Sequence, residues 1–367
     1  MNLLETRIHL DTLAHNFQVV QERAASAECM AVVKADAYNH GYAEVAQTLV
    51  RAGAKCFGVA TLGEAFALRK VVDAPILCWM WTPSQDFAAA IGAGIELAVP
   101  ALHHAKVLRA HADQVRPQQP VQVCIKIDTG MHRSGVPLTD LAQVFEVLAS
   151  PYIEVTGLMS HFACADVVDA AGDAANMAQL AAFDAALIEG RRAGFELARN
   201  HIANSAGIAR YPQAHYEMVR AGVAMYGMEP VPEFRLGVRP VMEWVSRVVV
   251  VKDIEPGDGV SYGLTWRADK PGRVAVVGVG YADGLWRSVQ GILHVGIRGR
   301  RYPQIGRVCM DQIVIDLGDN PDQVRAEDEA FIFGGAAASA TEIAANTNTI
   351  HYEVLCTPRG RTQRVYV

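Results

Sequence analysis

Up to about residue 235, short apolar runs alternate with amphipathic stretches that repeat at the period of a helix. The strand-like runs are Met30–Val33, Phe57–Ala60, Ile76–Trp79, Leu97–Val99, Val121–Ile127 and Val155–Met159, with weaker candidates at His201–Ala203 and Ala224–Tyr226. A continuous apolar strand followed by a helix, repeated in this way, predicts a parallel sheet covered by helices. About eight such units fit a (β/α)8 TIM barrel. The alternative, a doubly wound sheet, is disfavoured because no GxGxxG segment follows the first strand.

Beyond this region the helical stretches thin out and strand-like runs predominate. The candidates are Val241–Ile254, Arg273–Val279, Ile292–Ile297, Gln312–Leu317 and Ala330–Phe333. Turn-forming segments separate them, a spacing typical of an antiparallel β domain. We therefore predict an α/β chain with a barrel over residues 1–235 and a mainly antiparallel β domain over residues 236–367.

The composition excludes several classes of protein. Hydrophobic residues make up 51% of the chain and charged residues 20%, a balance that favours a large packed core over disorder. The net charge of −6 offers no basic excess for nucleic acid. No secretory signal or membrane-spanning run is present, and the seven cysteines are scattered without metal-ligand spacing. These features predict a cytoplasmic enzyme with reduced thiols, no metal site and no membrane or nucleic-acid partner.

A lysine stands where the first predicted strand ends. Active sites of barrels lie at the carboxyl ends of the strands, and Lys34 directly follows Val33 there. Removal of water disfavours a charged ammonium, and a neutral lysine amine can form a Schiff base with an aldehyde. The polar residues Asp36, Tyr38 and His40 come next, which favours a functional loop over a lysine that merely leaves the barrel.

The later strand ends add an anion-binding pattern. Ser205 follows the seventh run, and Gly222, which permits close approach of the backbone, lies beside the eighth. Barrels often bind phosphate with the loops after strands seven and eight. An imine-forming lysine together with a phosphate cradle suits an aldehyde that carries a phosphate, and pyridoxal phosphate is the cofactor we predict.

Ordered motifs along nearly the whole chain resemble those of the alanine racemases. They are AVVKADAYNHGY, KIDTGMHRSG, SHFACAD, IANSAG, EMVRAGVAMYG, VSYGLTW, GYADG and GRVCMDQ. The resemblance implies a two-domain, fold-type III pyridoxal phosphate enzyme that works as a homodimer with shared active sites. Such an enzyme interconverts L- and D-alanine, and the D-alanine is used for peptidoglycan.

The resemblance also implies a role for individual residues. Lys34 would hold the cofactor and act as the base for D-alanine, and Tyr262 from the partner subunit would be the base for L-alanine. Arg220 would face the pyridine nitrogen. Arg133, Met310 and Asp311 would bind the substrate carboxylate. The cofactor-binding set would be Lys34, Tyr38, Arg133, His161, Ser205, Arg220, Gly222, Val223 and Tyr352, and Lys126 would carry a carbamate that orients Arg133.

Three other functions stay open at this point. A racemase of wider range, such as a serine racemase, could share the scaffold. A decarboxylase of basic amino acids would need an acidic substrate site and a catalytic cysteine in a different C-terminal motif. A non-catalytic pyridoxal phosphate carrier is disfavoured by the attached β domain. Turnover of alanine by the coloured protein would separate these functions.

Overall fold

The computed structural model describes residues 2–367, which divide into two compact units. The barrel unit comprises residues 13–37 and 41–239, and the sheet unit comprises residues 2–12, 38–40 and 240–367. The strands are β1 Glu5–Ile8, β2 Glu28–Val32, β3 Phe57–Thr61, β4 Ile76–Met80, β5 Ile95–Val99, β6 Val121–Lys126, β7 Ile153–Met159, β8 Met218–Ala221, β9 Met242–Ile254, β10 Gly259–Val260, β11 Trp266–Arg267, β12 Gly272–Val277, β13 His294–Ile297, β14 Arg300–Ile305, β15 Ile313–Gly318, β16 Glu329–Phe333 and β17 Gln363–Tyr366.

Helices connect most of the strands of the barrel unit. They are α1 Leu10–Ala24, α2 Lys34–Asn39, α3 Tyr42–Arg51, α4 Leu62–Arg69, α5 Phe87–Gly92, α6 Leu102–Val115, α7 Leu141–Leu148, α8 Ala170–Arg192 and α9 Ser205–Arg210, with α10 Ala340–Asn346 and α11 His351–Leu355 in the sheet unit. Short 3₁₀ turns occur at Leu138–Asp140, Pro212–Ala214, Tyr262–Leu264, Tyr281–Asp283 and Arg287–Val289. Within residues 2–367, no helix combines the length and the apolar composition needed to cross a bilayer.

The barrel unit confirms the predicted parallel sheet. Its named strands run in the order β7-β6-β5-β4-β3-β2-β8, and every pair is parallel. The gap between β7 and β8 is filled by residues 199–203. There the His201 N–H donates to Leu158 O at 3.0 Å, and the Arg220 N–H donates to Ala203 O at 3.0 Å. These bonds close the ring with an eighth chain segment, as a (β/α)8 barrel requires.

A layer of side chains fills the middle of the barrel. Each named strand of the ring, or the residue just before it, contributes one buried side chain: Met30, Cys56, Leu77, Ala98, Cys124, Met159 and Met218. All seven cysteines of the chain are free thiols, and four of them are buried. The predicted eighth strand at Ala224–Tyr226 is wrong, because these residues form successive turns after β8, which ends at Ala221. Their apolar character reflects burial alone, which turns and strands share.

The sheet unit is built on one long strand. β9 pairs antiparallel with β1, β12 and β16, and the strand order is β12-β15-β14-β13-β16-β9-β1-β17. The antiparallel character matches the sequence prediction, but β1, β14 and β17 were not among the predicted strands. β1 and β17 pair in parallel although they lie at opposite ends of the chain. The amino-terminal strand is therefore part of the sheet unit.

Candidate active site

Lys34 stands at the start of a left-handed turn. Residues 35–39 all have positive φ, between 53° and 67°, although none of them is glycine. This conformation costs L-residues about 1–2 kcal/mol each, so tertiary bonds must hold it. The Glu64 carboxylate accepts from the Ala35 N–H at 2.7 Å, and the Asp36 carboxylate accepts from the Tyr42 N–H at 2.8 Å. The chain thus reverses at once after the strand and leaves Lys34 at the carboxyl end of the ring.

Trp79 lies beside the Lys34 side chain. The Lys34 Nζ is 5.9 Å from the centroid of the Trp79 ring, which also packs against the barrel core. Gly58 gives the ring its room, because a Cβ there would lie 2.8 Å from it. Trp79 thus packs against the barrel core and also contacts the lysine.

Arg220 is the most highly bonded side chain at this end of the barrel. One terminal nitrogen donates to His201 Nδ1 at 2.7 Å and to His201 O at 3.1 Å. The other donates to Ser160 O at 2.6 Å, to His161 Nδ1 at 2.9 Å and to Ile202 O at 3.2 Å. A guanidinium has donors only, so each histidine must present the lone pair of its Nδ1. Both rings are therefore neutral and carry their proton on Nε2.

Burial and the charge of Arg220 favour the same protonation state. Both effects lower the pKa of His161 and of His201 well below the ordinary value for histidine. The Nε2–H of His201 faces the Cys124 Sγ at 3.8 Å. Because both histidines stay neutral, they continue to accept hydrogen bonds from the charged Arg220 throughout the neutral pH range.

Lys126 and Arg133 are joined by one loop of the barrel unit. The loop is closed by the Val136 N–H, which donates to Lys126 O at 2.7 Å, and by the Asp128 N–H, which donates to Val136 O at 3.0 Å. Gly135 has a φ of 141°, and a Cβ there would lie 2.4 Å from Asp128 N. Burial, together with the positive charges of Arg133 and Arg220, lowers the pKa of Lys126 to about 8. A lysine with this pKa is still mostly protonated at pH 7, but about a tenth of its amine is neutral there, far more than for an ordinary lysine.

Ser205 and Gly222, the two residues of the predicted anion cradle, are joined by a hydrogen bond. The Ser205 Oγ accepts from the Gly222 N–H at 3.1 Å and from the Ala224 N–H at 3.3 Å, so Val223 lies between two backbone donors. Asn204 caps the following turn by accepting from the Gly207 N–H at 2.9 Å. The serine hydroxyl can turn outward to an anion when one is present, because its proton rotates freely.

The sheet unit brings together two tyrosines that the resemblance assigns to the cofactor. The ring centroids of Tyr38 and Tyr352 are 6.1 Å apart. Asn39 stands between Tyr38 and His40. Its φ of 67° is in a region that asparagine tolerates better than most residues. Its side-chain amide donates to Pro358 O at 2.8 Å and ties this segment to the end of the chain.

Met310 and Asp311 lie on a loop fixed by a second loop of the sheet unit. The Ala282 N–H donates to Met310 O at 3.1 Å. Arg361 donates to Asp311 at 2.7 Å and, with two nitrogens, to the fully buried carboxylate of Asp283. Tyr262 lies on the turn between β10 and β11, with 70% of its surface exposed.

Two polar residues of the barrel unit were missed by the sequence analysis. His201 accepts from one terminal nitrogen of Arg220, and His161 accepts from the other. The buried amide of Gln179 donates to Thr129 Oγ1 at 3.0 Å and to His161 O at 3.0 Å, so it ties two site loops together. The only sequence signal for His201 was that it begins the strand-like run His201–Ala203, just before the IANSAG motif. Gln179 lies within a helix, where nothing local marks it.

These residues suit a cofactor that carries negative charge. Four cationic side chains lower the pKa of His161, namely Arg220, Arg133, Lys34 and Lys126. So many like charges close together call for anionic ligands, and a phosphate, a phenolic oxygen and a substrate carboxylate would supply them. Together with the cradle at Ser205 and the lysine at the strand end, this donor set fits pyridoxal phosphate.

Both units of the chain match domains of the same known protein family. Residues 8–230 match the family model of the alanine racemase N-terminal domain, and residues 241–366 match that of the C-terminal domain. The alanine racemase of Corynebacterium efficiens is 50% identical over 100% of this chain and 99% of its own length. That of Mycobacterium tuberculosis is 41% identical over 99% of this chain and 96% of its own length.

Solved structures agree with this result. The crystal structure of alanine racemase from Corynebacterium glutamicum has a TM-score of 0.89 at 46% identity, with both chains fully covered. The alanine racemase from Bartonella henselae, with covalently bound pyridoxal phosphate, has a TM-score of 0.90 at 25% identity, again with full coverage of both chains. This chain therefore belongs to the alanine racemase family of pyridoxal phosphate-dependent enzymes.

Proposed function

We propose that this chain interconverts L- and D-alanine and that Lys34 and Tyr262 are its two bases. The observation that carries the proposal is the convergence of Lys34, Arg220, His161 and Lys126 at the carboxyl end of the barrel, in a chain that matches the family over both units. The bound cofactor would supply an aldehyde that takes up the amino group of the substrate and an electron-withdrawing ring that acidifies its α-carbon.

The remaining predicted residues would hold the cofactor and the substrate. Tyr38, Ser205, Gly222, Val223 and Tyr352 would bind the phosphate, and Arg220, held by His161, would donate to the pyridine nitrogen. Arg133 would bind the phenolic oxygen of the cofactor and the carboxylate of the substrate. The backbone N–H of Met310 of the partner subunit, with Asp311 beside it, would bind the same substrate carboxylate.

The second base belongs to a partner subunit in this proposal. A racemase must return the proton to the face opposite the one it left, and two bases on opposite faces do this directly. The high exposure of Tyr262 supports its use in another copy of the chain. We therefore propose a homodimer with shared sites, located in the cytoplasm, where D-alanine would be made for peptidoglycan.

A substrate panel tests the proposed activity. The purified protein should be yellow, lose its long-wavelength band on borohydride reduction, and racemise alanine much faster than serine, lysine or arginine. Comparable rates with serine would support the broader racemase, and carbon dioxide release from a basic amino acid would indicate a decarboxylase. Colour without turnover would support the carrier.

Replacement of Arg220 by glutamate is expected to produce a new visible absorption band during turnover and to slow racemisation about 100-fold. The arginine is always charged and can only donate hydrogen bonds, so it leaves the pyridine nitrogen without a proton. A carboxyl group can exchange a proton with that nitrogen and strengthen electron withdrawal from the α-carbon. Stopped-flow spectroscopy with alanine measures both effects.

The control is Arg109→Gln, because Arg109 is likewise an arginine with several hydrogen bonds, here to one carboxylate and two carbonyls, but it lies on a surface helix. This control should keep its rate and its spectrum. An Arg220→Glu enzyme with an unchanged rate and no new band would contradict the role given to Arg220.

Lys126 is expected to carry a carbamate. Only a neutral amine reacts with carbon dioxide, and a pKa of about 8 gives Lys126 far more of that form at neutral pH than an ordinary lysine has. The product is an anion that would pair with Arg133, whereas the ammonium would repel it. With ¹³C-labelled bicarbonate, NMR should show a carbamate signal that is absent in Lys126→Ala. A crystal structure with an unmodified Lys126 and an ordered Arg133 would rule this out.

A further inference from the structure

The turn that carries Tyr262 contains a strained residue. Ser261, directly before the tyrosine, has φ 63° and ψ −173°, a combination otherwise almost restricted to glycine. A side chain persists there only if its surroundings hold it. Gly263 and Leu264 on the other side of Tyr262 also have positive φ. The backbone conformation of this turn is therefore not one that these residues would adopt by themselves.

One short hydrogen bond holds Ser261 in this conformation. Its hydroxyl donates to Arg307 O at 2.7 Å and contacts the Cys309 Sγ at 3.3 Å. The accepting segment is itself fixed, because the Tyr281 N–H donates to Cys309 O at 3.0 Å. Gly306 completes the fit, since a Cβ there would lie 2.9 Å from the Ser261 Cβ. The same segment leads directly into Met310.

Tyr262 depends on this backbone for its direction. With 70% of its surface exposed, its side chain has few contacts in its own chain that could fix where the phenol points. The φ and ψ of the preceding residue then decide the direction of the Cα–Cβ bond. A proton transfer needs the oxygen within hydrogen-bond distance of the α-carbon's proton, and a displacement of about 1 Å can cost 100-fold in rate.

We propose that Ser261 is the positioning residue for Tyr262. Its hydroxyl holds the backbone before the tyrosine in a conformation that directs the phenol toward the substrate of the partner subunit. Because the hydroxyl bonds to the segment that carries Met310, the position of the phenol also depends on that segment. The inference rests on the proposed role of Tyr262 as the base for L-alanine.

The test compares Ser261→Ala with Ser261→Gly in the cofactor-loaded enzyme. Both variants lose the hydroxyl. Alanine disfavours the native φ and ψ, so its turn relaxes to another conformation, whereas glycine adopts the native values without strain. We expect Ser261→Ala to slow α-deuterium exchange from L-alanine about 10- to 100-fold and Ser261→Gly to slow it less. Exchange from D-alanine, where Lys34 is the base, should change less than about threefold in both.

A matched control and a reference variant make the outcome decisive. Ser246 is a buried serine of the same unit whose hydroxyl also donates to a carbonyl, Gly278 O, at 3.0 Å, so Ser246→Ala should leave both exchange rates unchanged. A purely structural role for Ser261 predicts the reverse order, with glycine more harmful than alanine, or equal losses for both enantiomers. Either result overturns the inference if Tyr262→Phe still affects L-alanine selectively. If Tyr262→Phe is itself unselective, the role of the tyrosine fails and the inference fails with it.

Discussion

Replacement of Lys34 by alanine is expected to lower racemisation by about four orders of magnitude or more, equivalent to about 5.5 kcal/mol of transition-state stabilisation. One change removes the amine that would hold the cofactor and the base that would take the α-proton of D-alanine. The loss should therefore be seen with either enantiomer. Polarimetry or a coupled assay measures the rate, and the absorption spectrum reports the loss of the covalent link.

Two comparisons show that the effect belongs to this amine. Lys55 is an exposed lysine before β3, at the amino-terminal end of the strands, so Lys55→Ala should retain full activity and colour. A small primary amine such as methylamine should restore part of the activity of Lys34→Ala, because it can occupy the space left by the side chain. Borohydride labelling of a lysine other than Lys34 in the native enzyme would contradict the assignment.

The place of Lys34 could be predicted from the sequence, but the form of its turn could not. An apolar strand followed by lysine in a repeated β/α pattern is a local signal. The next residues, Ala35 to Asn39, give no sign of five consecutive positive φ values, since most of them favour right-handed conformations. The turn is held by the Glu64 and Asp36 carboxylates, and the Glu64 contact joins segments 29 positions apart.

Contacts distant in sequence explain the other errors. β1 and β17 are short, and they form strands by pairing with segments distant in sequence: β1 pairs with β9 and β17, and β17 pairs with β1. The bonds between His201 and Arg220 join residues 19 positions apart, with helix α9 between them, so no local pattern indicates them. The resemblance supplied Arg220 and Tyr262 because it rests on ordered motifs. It could not supply the strain at Ser261, which exists only in the folded turn.

Tyr262→Phe is expected to lower racemisation about 1,000-fold, within the usual range for loss of an acid–base group. The variant keeps the ring and loses only the hydroxyl, so the fold and the yellow colour should persist. Exchange of the α-deuterium of L-alanine should be lost, whereas exchange from D-alanine, with Lys34 as base, should be partly kept. NMR of each enantiomer in exchanging solvent measures the two rates. Equal losses would mean that the tyrosine only positions the substrate.

Mixing this variant with Lys34→Ala tests whether the tyrosine acts in the partner subunit. Each parent should be nearly inactive, but a hybrid dimer would pair the native Lys34 of one chain with the native Tyr262 of the other at one of its two sites. Random reassociation makes half of the dimers hybrids, so about a quarter of wild-type activity should return. If Tyr262 served its own chain, every site would carry one of the two substitutions and no activity would return. Differently tagged chains allow the hybrid to be isolated, and its activity should be about half that of the native dimer.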